Sequence, residues 1–536
     1  MKIPLIVISI LIIASVSWAK VELPAVFSDG AVLQRDQDLP VWGWGSPGAN
    51  VSVRFADQTK TTRVDADGKW MVTLSPVKGS YDTHTMQIQV GRDSLELTDL
   101  LVGEVWLCTG QSNMQYTFDA LVGRSKDKGY QSIIDSMQQL KDTVKDPYLR
   151  KITVPAVASL EEGMHTFEGE WMSVEPKNNG SFSATTYFFA RELRNYLDCP
   201  VGMLTCAWGG QRIDGFIPPS AWMASTEKAN YEKEIATIKH QIATYDPVKA
   251  QETLEKEHAQ WKANNGHRRK EPKLYNPSVI TPNIRGVIYN GMIHPLAPYA
   301  LRGMLWYQGE SHSRSNPQSY GYLMELLITG LRAEWGQGDF PVYYCQLAGF
   351  MKPESEPLQE TPSMVVICNQ QRLSMKIPNT GMAVLNDVGQ ATDYHPKNKL
   401  DVGLRLSKWA LNKTYGFEDI VPSGPLYQSY HNNGSSITIT FEYAGSGLMT
   451  GNKHLLKPVV PSNDPISGFE ICGDDHQWKA ATAHIVGHNQ VEVAHPSIQK
   501  PVAVRYAWQG NPTNANLYNK EGLPTSLFIT DESMGK

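Results

Sequence analysis

The sequence predicts an α/β domain flanked by two all-β modules, and three observations carry that reading. From Leu23 to about Leu97, β-formers alternate or cluster between turns, with no helical period. From Leu101, apolar strand-like runs alternate with helical segments, the pattern of a mainly parallel sheet covered on both faces. From Tyr427 onward the β texture returns. At 536 residues the chain is too long for one ordinary core, which agrees with several domains.

Taken in order, the chain opens on Met1-Lys2, an apolar stretch from Ile3 to Val16, and Ser17-Trp18-Ala19. A basic start, a short apolar core and small residues at the end read as a secretory signal over residues 1–19. The stretch is short of the roughly 20 apolar residues that span a bilayer. The expectation is therefore an exported chain, periplasmic or secreted, with no membrane attachment after cleavage. The first β module, residues 20–100, is read from Val41-Trp42-Gly43-Trp44, Val51-Ser52-Val53-Arg54-Phe55 and Trp70-Met71-Val72-Thr73-Leu74, separated by Ser46-Pro47-Gly48 and Asp65-Ala66-Asp67-Gly68. A sandwich is the expected form.

The α/β domain is expected over 101–420. Its strands are Val102–Cys108, Val201–Leu204, Gly303–Tyr307, Pro341–Tyr344 and Met382–Leu385; its helices are Ser183–Leu197, Tyr320–Trp335, Ser363–Leu373 and Lys399–Lys413. A charged segment from about Trp222 to Asn264 reads as an inserted helical hairpin broken at Asp246-Pro247. The second β module, residues 421–536, is read from the strict alternation of Ser436-Ile437-Thr438-Ile439-Thr440-Phe441, with Val491–Val493 and Val502–Tyr506 following.

A net charge of −5 with no basic block argues against nucleic acid and anionic membranes as partners. The six Cys contain no C-x-x-C pair, and Cys108 and Cys345 lie inside apolar runs, so mostly buried free thiols are expected. No H-E-x-x-H occurs, and the spacing His484/His488 falls in β texture, so neither a metal nor another cofactor is expected.

Four fragments follow predicted strands directly. Gly110-Gln111-Ser112-Asn113 is a turn that can expose a serine Oγ and aim backbone N–H groups at a developing oxyanion. A serine there is also a common helix N-cap. Asp393-Tyr394-His395-Pro396 can hold a general base and the carboxylate that orients it. The bare D-x-H step is not specific, because Asp82–His84 and Asp474–His476 show it too, but those lie in the β modules. Trp208-Gly209-Gly210-Gln211 lets backbone approach a substrate closely, and Gln308-Gly309-Glu310-Ser311 offers a side-chain amide. All four fall at the C-terminal ends of strands, where open α/β sheets bind ligands.

Gly-Gln-Ser-Asn-Met at 110–114, Trp-Gly-Gly at 208–210, Trp-Tyr-Gln-Gly-Glu-Ser at 306–311 and Asp-x-His-Pro at 393–396 resemble the sialate O-acetylesterase family of SGNH hydrolases. Val26-Phe27-Ser28-Asp29, Val41–Trp44, Tyr289–Pro295 and Gly522-Leu523-Pro524 extend the likeness over nearly the whole chain. The resemblance implies a flavodoxin-like three-layer catalytic domain. It also implies a serine esterase acting on O-acetylated sialic acid, or on acetylxylan or another acetylated sugar. In that reading Ser112, His395 and Asp393 are catalytic, and the oxyanion donors are the Ser112 N–H, the Gly210 N–H and the Gln308 amide. Arg212, Glu310 and His312 become candidate substrate contacts: Arg212 for a sialate carboxylate, Glu310 as a structural acceptor first, and His312 at the pocket rim. A glycosidase using Glu310 and Asp393 would leave the Gly-Gln-Ser turn unexplained. A non-catalytic carbohydrate-binding protein would fit the β modules but not the four fragments.

Overall fold

The computed structural model describes residues 21–124, 128–161, 163–264 and 270–535. The expected signal segment therefore lies outside the described residues. The N-terminal part contains β1 (Val32–Gln34), β2 (Leu39–Trp44), β3 (Asn50–Phe55), β4 (Gln58–Arg63), β5 (Lys69–Leu74), β6 (Ser80–Val90) and β7 (Asp93–Gly110). β2 pairs with β5 as a separate ribbon, while β3, β4, β6, β1 and the first half of β7 form one sheet. Alternating burial along β5 shows one face turned to the core and one to solvent.

β7 is the structural hinge of the chain. Its first half pairs with β6 and β1, and its second half enters the central sheet, so a continuous strand runs through the expected boundary at residue 100. Burial is complete from Leu100 to Gly110, which is why the second half can serve only as a central strand.

The central sheet adds β8 (Asp146–Thr153), β9 (Met172–Val174), β10 (Val201–Ala207), β11 (Gly303–Tyr307), β12 (Val342–Cys345) and β13 (Thr380–Ala383). Its order is β13-β12-β11-β7-β10-β8-β9, and all pairs are parallel except β8 with β9. The chain leaves β7 towards β10 on one side and returns to β11 on the other, so the end of β7 is the topological switch point.

Successive side chains of a strand point to opposite faces, and β12 shows what covers each. Tyr343 stacks on Trp409 of the helix Lys399–Trp409, which packs on the helix Ala184–Leu197. The Tyr344 hydroxyl donates to Gln371 O of the helix Ser363–Leu373, which packs on Tyr320–Trp335. Three layers result, as expected. The helix predicted as Lys399–Lys413 is α-helical to Trp409 and continues as a π turn over Ala410–Thr414.

The charged insertion forms two helices, Lys228–Ala243 and Pro247–Ala263, neither with a buried residue. Asp246 caps the second by accepting from the Val248 and Lys249 N–H groups at 3.0 and 3.2 Å. Trp222 belongs to the body instead: it is fully buried in the helix Pro219–Ala224. The C-terminal strands, among them Ser436–Glu442, Gln490–Ala494 and Ala503–Tyr506, are distributed over antiparallel sheets of three and four strands. All six cysteines are free and buried.

Candidate active site

Register decides which loops meet. Gly110 at the end of β7 lies opposite both Ala207 of β10 and Tyr307 of β11, so the residues that follow all three strands emerge level with one another. Gly110 itself has φ +136°, and a Cβ there would sit 2.3 Å from Tyr307 O, so only glycine lets the chain turn this close to β11.

Ser112 opens the four-residue helix Ser112–Gln115, and Gln111 occupies the N-cap without a side-chain capping bond. The serine is therefore not a cap. Its Oγ lies 2.9 Å from His395 Nε2, and His395 Nδ1 lies 3.0 Å from Asp393 Oδ1. The same Oδ1 accepts the His395 backbone N–H at 2.9 Å, and Oδ2 accepts Lys397 Nζ at 2.7 Å. Burial opposes ionisation of Asp393, but the hydrogen bonds from His395 and Lys397 outweigh it and hold the carboxyl well below the usual carboxylate range. The Tyr116 ring stacks on the imidazole at 5.0 Å and 21°, which restricts ring rotation about the nucleophile.

Gly209 packs beside the serine, since a Cβ on it would lie 3.3 Å from Ser112 Cβ. Its N–H donates to Gln115 Oε1 at 3.0 Å, so Gly210, at φ +78° with open space around it, is the member of the pair whose N–H that bond does not use. Gln308 is fully buried. Its Oε1 accepts from the Tyr320 hydroxyl at 2.9 Å, and its Nε2 donates one hydrogen to Gln211 O at 3.0 Å.

The remaining candidates are placed as follows. Glu310 turns inward, accepting from Asn113 Nδ2 at 2.5 Å, while its Oε2 is buried without a hydrogen-bond partner. Arg212 is held in its loop: Nη1 donates to Ser315 Oγ, Nη2 to Asn283 O, both at 3.2 Å, and Nε lies 3.5 Å from Asp214 Oδ2. His312 is corrected. It is 2% exposed, its Nε2 lies 3.1 Å from Asn316 O, and its Nδ1 lies 3.5 Å from Asp214 Oδ2. The short turn His312–Arg314 rotates the ring into the protein, so it braces the loop and forms no rim.

Several residues escaped sequence reasoning. Asn113 is fully buried and joins three loops: Nδ2 reaches Glu310 and, at 2.9 Å, Tyr394 O, while Oδ1 accepts from Lys399 Nζ. Burial pushes the Lys399 ammonium down to about 7 against the pull of Glu310. A lysine at the first position of a helix sits at the wrong end of the macrodipole, and that was the available signal. Lys397 is four residues beyond Asp393, but these residues form a loop, where that spacing gives no signal.

A family model described as carbohydrate esterase, sialic acid-specific acetylesterase matches residues 279–411. A crystal structure of a carbohydrate acetylesterase from Xanthomonas citri is similar over 95% of this chain and 99% of that one, with 31% identity and a TM-score of 0.76. The chain belongs to the sialic acid-specific acetylesterase family. It is thus a carboxylic ester hydrolase, and its substrate class is acetylated carbohydrate. Sialate O-acetylesterase from Homo sapiens is 27% identical over 94% of this chain and 92% of its own length; that from Mus musculus is 28% identical over 99% and 98%. In this esterase the strand-end loops carry the serine, the histidine and the carboxylate into one hydrogen-bonded line.

Proposed function

We propose that the esterase removes acetyl groups from O-acetylated sialic acid by a two-step acyl transfer on Ser112. The observation that carries the mechanism is the Ser112–His395–Asp393 line of hydrogen bonds at 2.9 and 3.0 Å. Ser112 Oγ attacks the acetyl carbonyl carbon while neutral His395 takes its proton at Nε2, and Asp393 holds the imidazolium that results. The tetrahedral intermediate collapses, His395 returns the proton to the departing sugar oxygen, and the acetyl group stays on Ser112. Water, deprotonated by His395, then releases acetate and restores the serine.

The oxyanion of each tetrahedral intermediate is assigned to the N–H groups of Ser112 and Gly210 and to the second amide hydrogen of Gln308. The Tyr320 bond to Gln308 Oε1 supports that assignment, because it leaves the nitrogen end of the amide turned away from Tyr320. If Gln308 donates only in the transition state, Gln308→Ala lowers kcat by about 10²–10³ with little change in KM. Its burial and its bond to Gln211 O also fit a bracing role. Measuring kcat and melting temperature on one preparation separates the two: a destabilised variant with normal kcat refutes the donor role.

Sialic acid as the sugar rests on the family and on the named activity of the mammalian relatives. A second reading, a neutral sugar such as acetylated xylan, is favoured by Arg212, whose guanidinium is already engaged by Asn283, Ser315 and Asp214. A sialate carboxylate calls for a cationic partner. Acetate release from O-acetylated sialosides and from acetylated xylan, measured side by side, decides between them. If Arg212 reads the carboxylate, Arg212→Gln raises KM for the sialoside by about 10- to 100-fold and spares xylan. Release from xylan alone would reject the sialate assignment.

A further inference from the structure

We infer that the Tyr394 ring, backed by Phe350, is the platform on which the sugar of the acetylated substrate lies, and that the C-terminal module holds it there. This rests on the Ser112–His395 reading above. The two rings that flank the His395 imidazole differ in one respect. Tyr116 is 5% exposed, whereas Tyr394, whose centroid lies 4.4 Å from the imidazole, is 41% exposed. Tyr394 carries no share of the core, and its carbonyl is pinned by Asn113 Nδ2, so its backbone is held while the ring is presented to solvent beside the reacting atoms. An ester whose carbonyl carbon reaches Ser112 Oγ carries its sugar one oxygen away. His395 bonds Ser112 Oγ, and Tyr394 is its immediate neighbour in the chain, so the sugar arrives over this rim. Tyrosine suits a pyranose, offering an apolar face to ring C–H groups and a polar tip to hydroxyls.

Phe350 stands edge-on to Tyr394, with centroids 5.4 Å apart and planes at 87°. Its own position is determined by three segments that meet behind it. Phe350 pairs with Gln390 in an isolated parallel bridge, and the Gln390 N–H donates to Gly349 O at 3.0 Å. The Phe350 N–H donates to Gly510 O at 2.8 Å, and Asn511 Nδ2 donates to Met351 O at 2.7 Å. Packing there leaves no room: a Cβ on Gly349 would lie 2.4 Å from Asn511 Oδ1, and one on Gly389 would lie 2.2 Å from Gly349 O. Met351, 58% exposed, adopts φ +81°, a left-handed conformation that side chains rarely take and that persists only where surroundings impose it. Gly510 and Asn511 come from the C-terminal β module, which by these contacts becomes part of the sugar side of the site.

The test is a selectivity ratio, kcat/KM for an O-acetylated sugar divided by kcat/KM for methyl acetate, an ester with no ring to stack. Tyr394→Ala should lower the ratio by about three- to tenfold, an aromatic contact's worth, chiefly through KM for the sugar ester. Phe350→Ala should move it the same way by less, and Tyr394→Trp should restore it. If Tyr394→Ala slows both esters equally, the ratio is unchanged and the platform is overturned, since the ring then serves only His395. Failure of the serine mechanism shows separately, as methyl acetate hydrolysis surviving in Ser112→Ala.

Discussion

Ser112→Ala is expected to lose on the order of 10⁵–10⁶ in kcat with KM for the acetylated sugar nearly unchanged. Alanine keeps the turn, because the Gly110 close approach and the Met114 and Gln115 N–H bonds to Gln111 O involve no serine side-chain atom. Only the nucleophile and its bond to His395 Nε2 disappear. What survives is whatever the oxyanion donors contribute to attack by water. A fluorophosphonate should label the wild type at Ser112 alone and leave the variant unlabelled, as read by peptide mass spectrometry. An adduct on another serine, or a variant with kcat within tenfold of wild type, would remove Ser112 from the mechanism.

Asp393→Ala should cost about 10⁴ in kcat, less than loss of the serine, because the imidazole is still held by Tyr116 stacking and by its own backbone. The carboxylate sits between His395 and Lys397, and that arrangement has a pH signature. Its folded pKa lies below the unfolded value, so the stabilisation linked to it is complete above about pH 4 and is lost only as pH falls through the lower folded value. Lys397→Met removes one of the interactions that lower it. The contribution is smaller in the variant, so it should lose less stability on acidification than wild type and stop losing it at a higher pH, seen in urea unfolding followed from neutral to acid pH. Identical acid limbs would mean that Lys397 does not set the state of Asp393.

Four site fragments were legible in the sequence because each is short-range chemistry attached to a strand. A buried apolar run followed by Gly-Gln-Ser needs no distant information to be read as a strand ending in a tight turn. The same holds for Trp208–Gln211 and Gln308–Ser311, and the helices Tyr320–Trp335 and Ser363–Leu373 have the expected bounds because their apolar faces repeat within the helix itself. Strand Met382–Leu385 is instead Thr380–Ala383, an end shift of two residues that local propensity does not resolve.

What sequence alone determined is therefore the inventory: a strand-turn serine, a D-x-H-P loop, two glycine-bearing turns, and β modules on either side. Of three D-x-H steps the sequence favoured Asp393–His395 by its place at a strand end, but the parallel register is what puts His395 Nε2 2.9 Å from Ser112 Oγ. His312 was misplaced for the same reason, since its orientation is set by Asp214 and Asn316 across a turn and not by its neighbours in Gly-Glu-Ser. Lys399 meets Asn113 across 286 positions of chain, and Phe350 meets Gly510 from a different module. Turn chemistry and periodicity are encoded over a few residues. Buried partners between strand ends are decided by sheet order and register, which only the assembled tertiary structure supplies.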